Sequence, residues 1–394
     1  MKKGFYTLLM AQFLSAIADN ALLFAAITLL STLHAPSWHE PLLREFFIIA
    51  YIVLAPFVGP FADALPKGKV MFISNGIKFF GCLAAFLGLP PLYAYAIVGI
   101  GAAAYSPAKY GILTEMLPSS QLIKANAWME GTTVTAIILG PIFGSSISAN
   151  DPYLGIAIIA VIYLLAAGFN YYIPKVPIDH KMPQRNFMFL LRDFWHSFTT
   201  LWRDTQGQVS LAVTTLFWGA GATLQFVVLQ WAKEVLHMEQ QAASVLIAIM
   251  AVGIAIGSIG ASLFVKLEDA VKVLPAGIFM GLLVVSMSLI HTSEIATVVL
   301  FCIGVLAGYF LVPLNSLLQH RGHALLGAGH SIAVQNFNEN IGILLLLGIY
   351  TLMKHQHLPI NIIIIIFGTF VSISMAIIYK LYLKHTKEKL FPLN

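Results

Sequence analysis

The sequence predicts an all-α membrane protein of twelve transmembrane helices in two six-helix halves. Three observations predict it. Of the 394 residues, 59% are hydrophobic and only 10% are charged, whereas a soluble domain carries roughly 25% charge. Mean hydropathy is +0.84. The apolar runs, such as 360–378, are long and unbroken, whereas a barrel strand alternates over about 10 residues. A spanning helix needs about 20 apolar residues, so the chain holds about a dozen and leaves no room for a soluble catalytic domain of ordinary size.

In chain order the predicted spans are 5–32, 44–65, 70–88, 91–114, 122–148, 153–174, 209–232, 240–265, 271–291, 295–318, 327–352 and 359–382. The one long connection divides the chain into an N-terminal half (1–174), a cytoplasmic linker (175–208) and a C-terminal half (209–394). Met1-Lys2-Lys3 followed by an apolar run resembles a signal peptide. The run continues past Leu30 and is interrupted by Asp19-Asn20, so it is expected to stay as the first span. Cys82 and Cys302 lie within apolar runs, and the histidines noted at loop edges (His34, His237, His291, His320, His355) lack metal-ligand spacing. No disulfide, metal or cofactor is expected.

Charge sets the orientation. With both termini in the cytoplasm, 18 of the 22 Lys and Arg residues fall on inner loops and tails. Only Arg44, Lys233 and Lys354 fall outside, and Lys78 lies within a span. The bias marks the inner face and accounts for the net charge of +5. It implies contact with lipid headgroups and no nucleic acid. In the linker, Phe187, Leu190, Leu191, Phe194, Trp195, Phe198, Leu201 and Trp202 recur at helical spacing. An amphipathic helix lying flat on the inner leaflet is expected, as a strap between the halves.

The halves repeat faintly. Span four carries GAAAYSP at 101–107 and span ten GYFLVP at 308–313. Span five has Asn126 and Glu130 four apart, and span eleven has Gln335 and Glu339 four apart. Two similar six-helix halves suggest the major facilitator architecture, with its substrate site near the midplane. The loop GPFADALPKGK at 59–69 resembles that superfamily's signature loop, although the basic residue after Asp63 is missing. Asp63 is expected to hold the inner gate closed through a helix N-terminus or a basic residue.

Ionisable groups within spans are functional candidates because burying them in lipid costs at least a few kcal/mol. Asp19 lies about 14 residues into its span, roughly 20 Å deep at the helical rise. Gln12 and Ser15 share its face. Glu339 sits in the most polar stretch of any span, QNFNEN at 335–340. So many amides must line a cavity or an interface. Glu130 is near the inner edge, as a gate residue paired with a cytoplasmic lysine. Lys78 has two readings, snorkelling to the headgroups or binding phosphate. Lys109, after Pro107, is near the inner mouth. Pro107 and Pro313 complete the gating set of Asp63, Lys109 and Glu130.

Particular stretches carry a family resemblance. The first helix, AQFLSAIADNALLF at 11–24, resembles that of the bacterial lysophospholipid transporter family. So do GAAAYSPAKYG at 101–111, FWGAG at 217–221, VPLNSLLQ at 312–319 and AVQN at 333–336. The family pattern has an arginine in the middle of the seventh helix, where this chain has Gln225. The resemblance implies movement of lysophosphatidylethanolamine and lysophosphatidylglycerol from the outer to the inner leaflet of the inner membrane. An acyltransferase–acyl carrier protein synthetase, Aas, would then re-acylate them. It is fused to some relatives; with the last residue at Asn394 it is expected here as a separate partner. For such a head, Asp19 and Glu339 would accept the ammonium. Asn20, Gln225, Gln335, Asn336 and Asn340 would donate to phosphate and hydroxyl groups, with Lys78 or Lys109 as a cation.

The chain is expected to act as a monomer and not as an enzyme, since neither a His-x4-Asp pair nor a Walker-type loop occurs. The alternative is a proton-coupled exporter of amphiphilic drugs, with Asp19, Glu130 and Glu339 carrying protons.

Overall fold

The structure is a computed structural model and describes residues 3–35, 39–175, 186–238 and 240–390. Of the basic residues assigned to the inner face, Lys2, Lys181 and Arg185 lie outside the described residues. The described chain is helical throughout: α1 (Lys3–Thr32), α2 (His39–Ala64), α3 (Lys67–Phe86), α4 (Pro91–Met116), α5 (Ser119–Ser148), α6 (Pro152–Tyr171), α7 (Phe187–Arg203), α8 (Thr205–Glu234), α9 (Gln240–Phe264), α10 (Leu274–Ser286), α11 (Ser293–Leu326), α12 (Ala328–His355) and α13 (Ile360–Leu390). Short 3₁₀ segments, Leu267–Val273 and Met287–Leu289, extend α10 at both ends. In hydrocarbon the backbone must satisfy its own hydrogen bonds, which a helix does within one segment.

Among the described residues, eleven segments are long and apolar enough to cross a membrane. Each coincides with a predicted span. The remaining predicted span, 91–114, is occupied by α4, which has 26 residues but a lower hydropathy because of its glycines, tyrosines, prolines and lysine. Helix ends follow local chemistry. Asp151 caps α6, accepting from the N–H groups of Tyr153 and Leu154 at 2.9 and 3.2 Å. Asp204 caps α8 by accepting from Gly207 N–H at 2.9 Å. His34 and His237 follow α1 and α8 in the left-handed conformation, with φ of 53° at both. His357 follows α12 in the same conformation, with φ of 54°.

The chain packs as two compact units, Met1–Pro118 with Gly131–Thr199 and Gly322–Phe337, and Ser119–Glu130 with Thr200–Arg321 and Asn338–Asn394. In the first, α1, α3, α4 and α6 pack together. Its core joins Ala18, Leu22 and Leu29 of α1 to Cys82 of α3, Val98 of α4, and Ile159 and Tyr163 of α6. In the second, α8, α10 and α13 pack together. Trp231, Phe310, Ile364 and Met375 are among its buried side chains.

The second unit also contains a reciprocal glycine contact. A Cβ at Gly253 or Gly257 of α9 would strike the carbonyl oxygens of Phe301 or Val305. A Cβ at Gly304 or Gly308 of α11 would strike those of Met250 or Ile254. Four glycines at i, i+4 on two helices bring the backbones together where apolar burial offers little drive, since the lipid is itself apolar. Gly257→Val is therefore expected to destabilise the protein by about 1–3 kcal/mol, read as a lower melting temperature in detergent. Gly76→Ala is the control, because a Cβ there meets nothing within 4 Å, and it is expected to leave the melting temperature unchanged or slightly raised.

Candidate functional site

Two charged clusters, an amide–hydroxyl pair and an amide pair bring together Asp19, Lys78, Asp63, Asn336 and Asn126 of the predicted polar residues. The first cluster lies inside the first unit, between α1, α3, α4 and α6. Lys78 is 0% exposed. Its ammonium donates to Asp19 Oδ2 at 2.8 Å and to Ser15 Oγ at 3.0 Å. It also lies 4.8 Å from the centroid of the Tyr105 ring and 5.5 Å from that of Tyr163. Tyr163 donates its hydroxyl to the other Asp19 oxygen at 2.7 Å. Ser15 in turn donates to Asn75 at 2.8 Å. Gly101 makes room for the lysine: a Cβ there would come within 2.7 Å of both Lys78 Cγ and the Ser74 carbonyl. This overturns the snorkelling reading of Lys78. Its stem runs between helices to a carboxylate, and the head reaches neither lipid nor water.

The second cluster lies in the same unit, at the α2–α3 corner. Asp63 accepts from the backbone N–H groups of Gly329 and His330, at 2.8 and 3.0 Å, at the start of α12. The His330 ring bridges two carboxylates, with Nδ1 on Asp63 and Nε2 3.0 Å from Asp193 of α7. Lys67 pairs with Asp63 at 2.6 Å and with Glu115 of α4 at 3.1 Å. The missing basic residue after Asp63 is thus supplied four positions on. The approach needs small residues. Gly327, with φ of 102°, turns the chain into α12, and a Cβ at Gly329 would strike both Asp63 and the Gly59 carbonyl at 2.7 Å.

The helix predicted in the linker is α7, but it does more than lie flat. Phe194 and Phe198 pack edge-on against Phe337 of α12, and Phe187 stacks on Phe57 of α2. Met188 and Trp195 stay exposed. In the second unit, Arg321 holds Asp204 with a bidentate pair, its closest contact 2.8 Å, and Trp202 donates to Asn338 at 3.3 Å.

Asn126, besides donating to the Leu122 carbonyl of its own helix at 3.0 Å, and Asn336 find partners on other helices. In the first unit, Asn336 of α12 donates to Ser106 of α4 at 2.9 Å, beside Pro107. In the second, Asn126 of α5 and Gln319 of α11 exchange two hydrogen bonds of 2.8 Å each. There Pro313 follows Val312, which is buried with Ile123 and Ala127 of α5. Gln335 and Glu130 are buried, as is Glu339, while Asn340 is half-buried. Asn20 turns its amide back to the Ala16 carbonyl at 2.9 Å. Lys109 lies over the Tyr110 ring at 4.2 Å. Gln225 is half-buried in α8. Lys67, Glu115, His330, Asp193, Tyr163, Ser106 and Gln319 were not singled out from sequence. Only Lys67, four residues after Asp63 in the signature loop, carried a local signal.

The model of the Major Facilitator Superfamily matches residues 8–347. Among solved structures, a bacterial homologue of the iron transporter ferroportin in its outward-facing state superposes with a TM-score of 0.77 at 15% identity, covering 98% of this chain and 100% of that one. The E. coli fucose:proton symporter FucP gives 0.78 at 14%, covering 96% and 98%. At such identities the likeness is one of fold. Proteins named lysophospholipid transporter LplT are much nearer in sequence. That of Escherichia coli O9:H4 (strain HS) is 43% identical over 378 residues, 96% of this chain and 95% of the relative. That of Yersinia enterocolitica serotype O:8 is 42% identical over 363 residues, 91% and 89%. The chain belongs to the major facilitator superfamily and, within it, to the LplT family.

Proposed function

We propose that this multi-pass membrane protein moves lysophospholipids, lysophosphatidylethanolamine among them, from the outer to the inner leaflet of a bacterial inner membrane. The observation that carries the reading is 43% identity, over 96% of the chain, to proteins named lysophospholipid transporter. The chemistry of the buried clusters supports it. A lysolipid has one acyl chain, which needs an apolar path, and a charged head, which needs acceptors for its ammonium and donors for its phosphate. Asp19 and Glu339 take the ammonium. Gln225 and the amides of α12 bind phosphate and glycerol hydroxyls, with Asn20 alongside them. Both termini face the cytoplasm, in keeping with the distribution of Lys and Arg.

Asp63 and its partners at the start of α12 form the cytoplasmic latch, which must break for the head to leave on that side. Lys109 and Glu130 take part in the same gating, and the interior prolines of α4 and α11 mark where these helices bend. The protein acts as a monomer and performs no chemistry on its cargo. Delivered lysolipid is re-acylated by an Aas-type acyltransferase on the cytoplasmic side, which makes inward flux effectively one-way.

Two outcomes test this. In spheroplasts lacking their own transporter, the protein is expected to carry labelled lysophosphatidylethanolamine inward, with little effect of an uncoupler. Asp19→Asn and Glu339→Gln are each expected to slow it by about tenfold or more, the worth of a charged hydrogen bond. Wild-type rates in both variants at equal expression would refute the head assignment, and arrest by the uncoupler would favour a proton-coupled exporter. For the latch, Asp63→Asn removes one partner of a buried ion pair, at a cost of about 3–5 kcal/mol. That exceeds the few kcal/mol that separate transporter conformers. Spin labels at Lys69 and Leu325, in a background lacking Cys82 and Cys302, are expected to show a longer-distance population in the variant that the parent lacks.

A further inference from the structure

We propose that Lys78 is a fixed internal counter-cation that sets the headgroup selectivity of the Asp19 site, rather than a ligand for the substrate phosphate. The inference rests on the reading of Asp19 as the acceptor of the lysolipid head.

The geometry separates the two residues by access. Lys78 is fully enclosed, with its stem against Gly101 and its ammonium between the Tyr105 and Tyr163 rings. Its hydrogen bonds to Asp19 and Ser15, 2.8 and 3.0 Å long, hold it from the α1 side. A phosphate could reach it only by displacing Asp19 and opening the α1–α3 contact. Asp19 has 23% of its side chain exposed. An ionised carboxylate offers about four acceptor positions. Lys78 and the Tyr163 hydroxyl occupy two of them, and the exposed edge leaves the others for a ligand. The site thus presents the negative end of a neutral pair, with the positive end buried behind it.

Such a dipole attracts an ammonium less strongly than a lone carboxylate does, because the lysine repels it from the far side. It still accepts a hydrogen bond from a neutral hydroxyl. The pair therefore narrows the difference between an ethanolamine head and a glycerol head. It also lets Asp19 stay in a membrane span without a bare charge. Lys78 acts through Asp19 and is a positioning residue.

The test is head-resolved transport in proteoliposomes of phosphatidylethanolamine and phosphatidylglycerol. Labelled lysophosphatidylethanolamine and lysophosphatidylglycerol are supplied separately, and the readout is the ratio of their rates. The wild type is expected to move the two within about tenfold of each other. Lys78→Met, and Lys78→Gln, which removes the charge but retains an amide donor, are both expected to raise the ethanolamine-to-glycerol ratio by about tenfold. Adding Asp19→Asn to Lys78→Met is expected to abolish the rise. A merely structural role would lower both rates and leave the ratio alone. An unchanged or lower ratio in folded single variants overturns the inference, as does a rise that survives in the double variant. Should neither single variant fold, the wild type still decides, because an ethanolamine preference far above tenfold contradicts a neutralised site. A wild type that moves neither lipid overturns the transport reading itself.

Discussion

A charge left alone in hydrocarbon is too costly to keep, and the interior of this protein is organised by that constraint. Lys78 has no access to solvent and therefore requires Asp19, which fixes α3 against α1. The Tyr163 hydroxyl on Asp19 then brings in α6, and the close approach at Gly101 brings in α4. Four helices of the first unit thus meet around one ion pair. Its value lies less in net stability than in register, since a buried pair roughly offsets its own desolvation. The apolar core formed by Ala18, Leu22, Val98 and Ile159 supplies bulk, but alanine and leucine pack in many ways. A lysine with one carboxylate in reach packs in one.

The same constraint explains which features the sequence disclosed. Each span is a local property of about 20 residues, and all twelve were legible from apolar runs. The α7 stripe was legible too, because helical periodicity lies within one segment. The polar pairs were not. Asn126 stands four residues before Glu130 on one helix face, yet its amide meets Gln319, 193 positions away. Ser106 and Asn336 are 230 apart. Polarity in a span signals that some partner exists, and only the packing of the helices decides which one. His330 is the clearest case. It lacks metal-ligand spacing in sequence, and its role comes from Gly327 and Gly329, which bring the start of α12 onto Asp63.

The linker helix shows how a surface element acquires a structural role. Its apolar stripe is wider than its contact with the protein. Phe194, Phe198 and Leu201 are turned inward, while Met188 and Trp195 remain exposed. Asp193 lies on the inward side and reaches His330. The strap is therefore tied into the same hydrogen-bonded cluster as the α2–α3 corner, and a displacement of α7 bears directly on the Asp63 contacts.

The repeat places a corner against a partner helix twice, once in each unit, with different chemistry. The α2–α3 corner meets α12 through Asp63, two backbone N–H groups and a histidine. The corner at the end of α9 meets α5 through Ala261, Val265 and Leu267 packed on Ile123 and Ala127. Hydrogen bonds are directional and weaken steeply once distance or angle departs from the optimum. Apolar contact is non-directional and scales with the area kept from water or polar groups. A small displacement therefore ends the first contact, whereas the second can slide and remain buried. Packed interfaces switch between discrete arrangements rather than deforming continuously, and of these two corners the polar one tolerates displacement less.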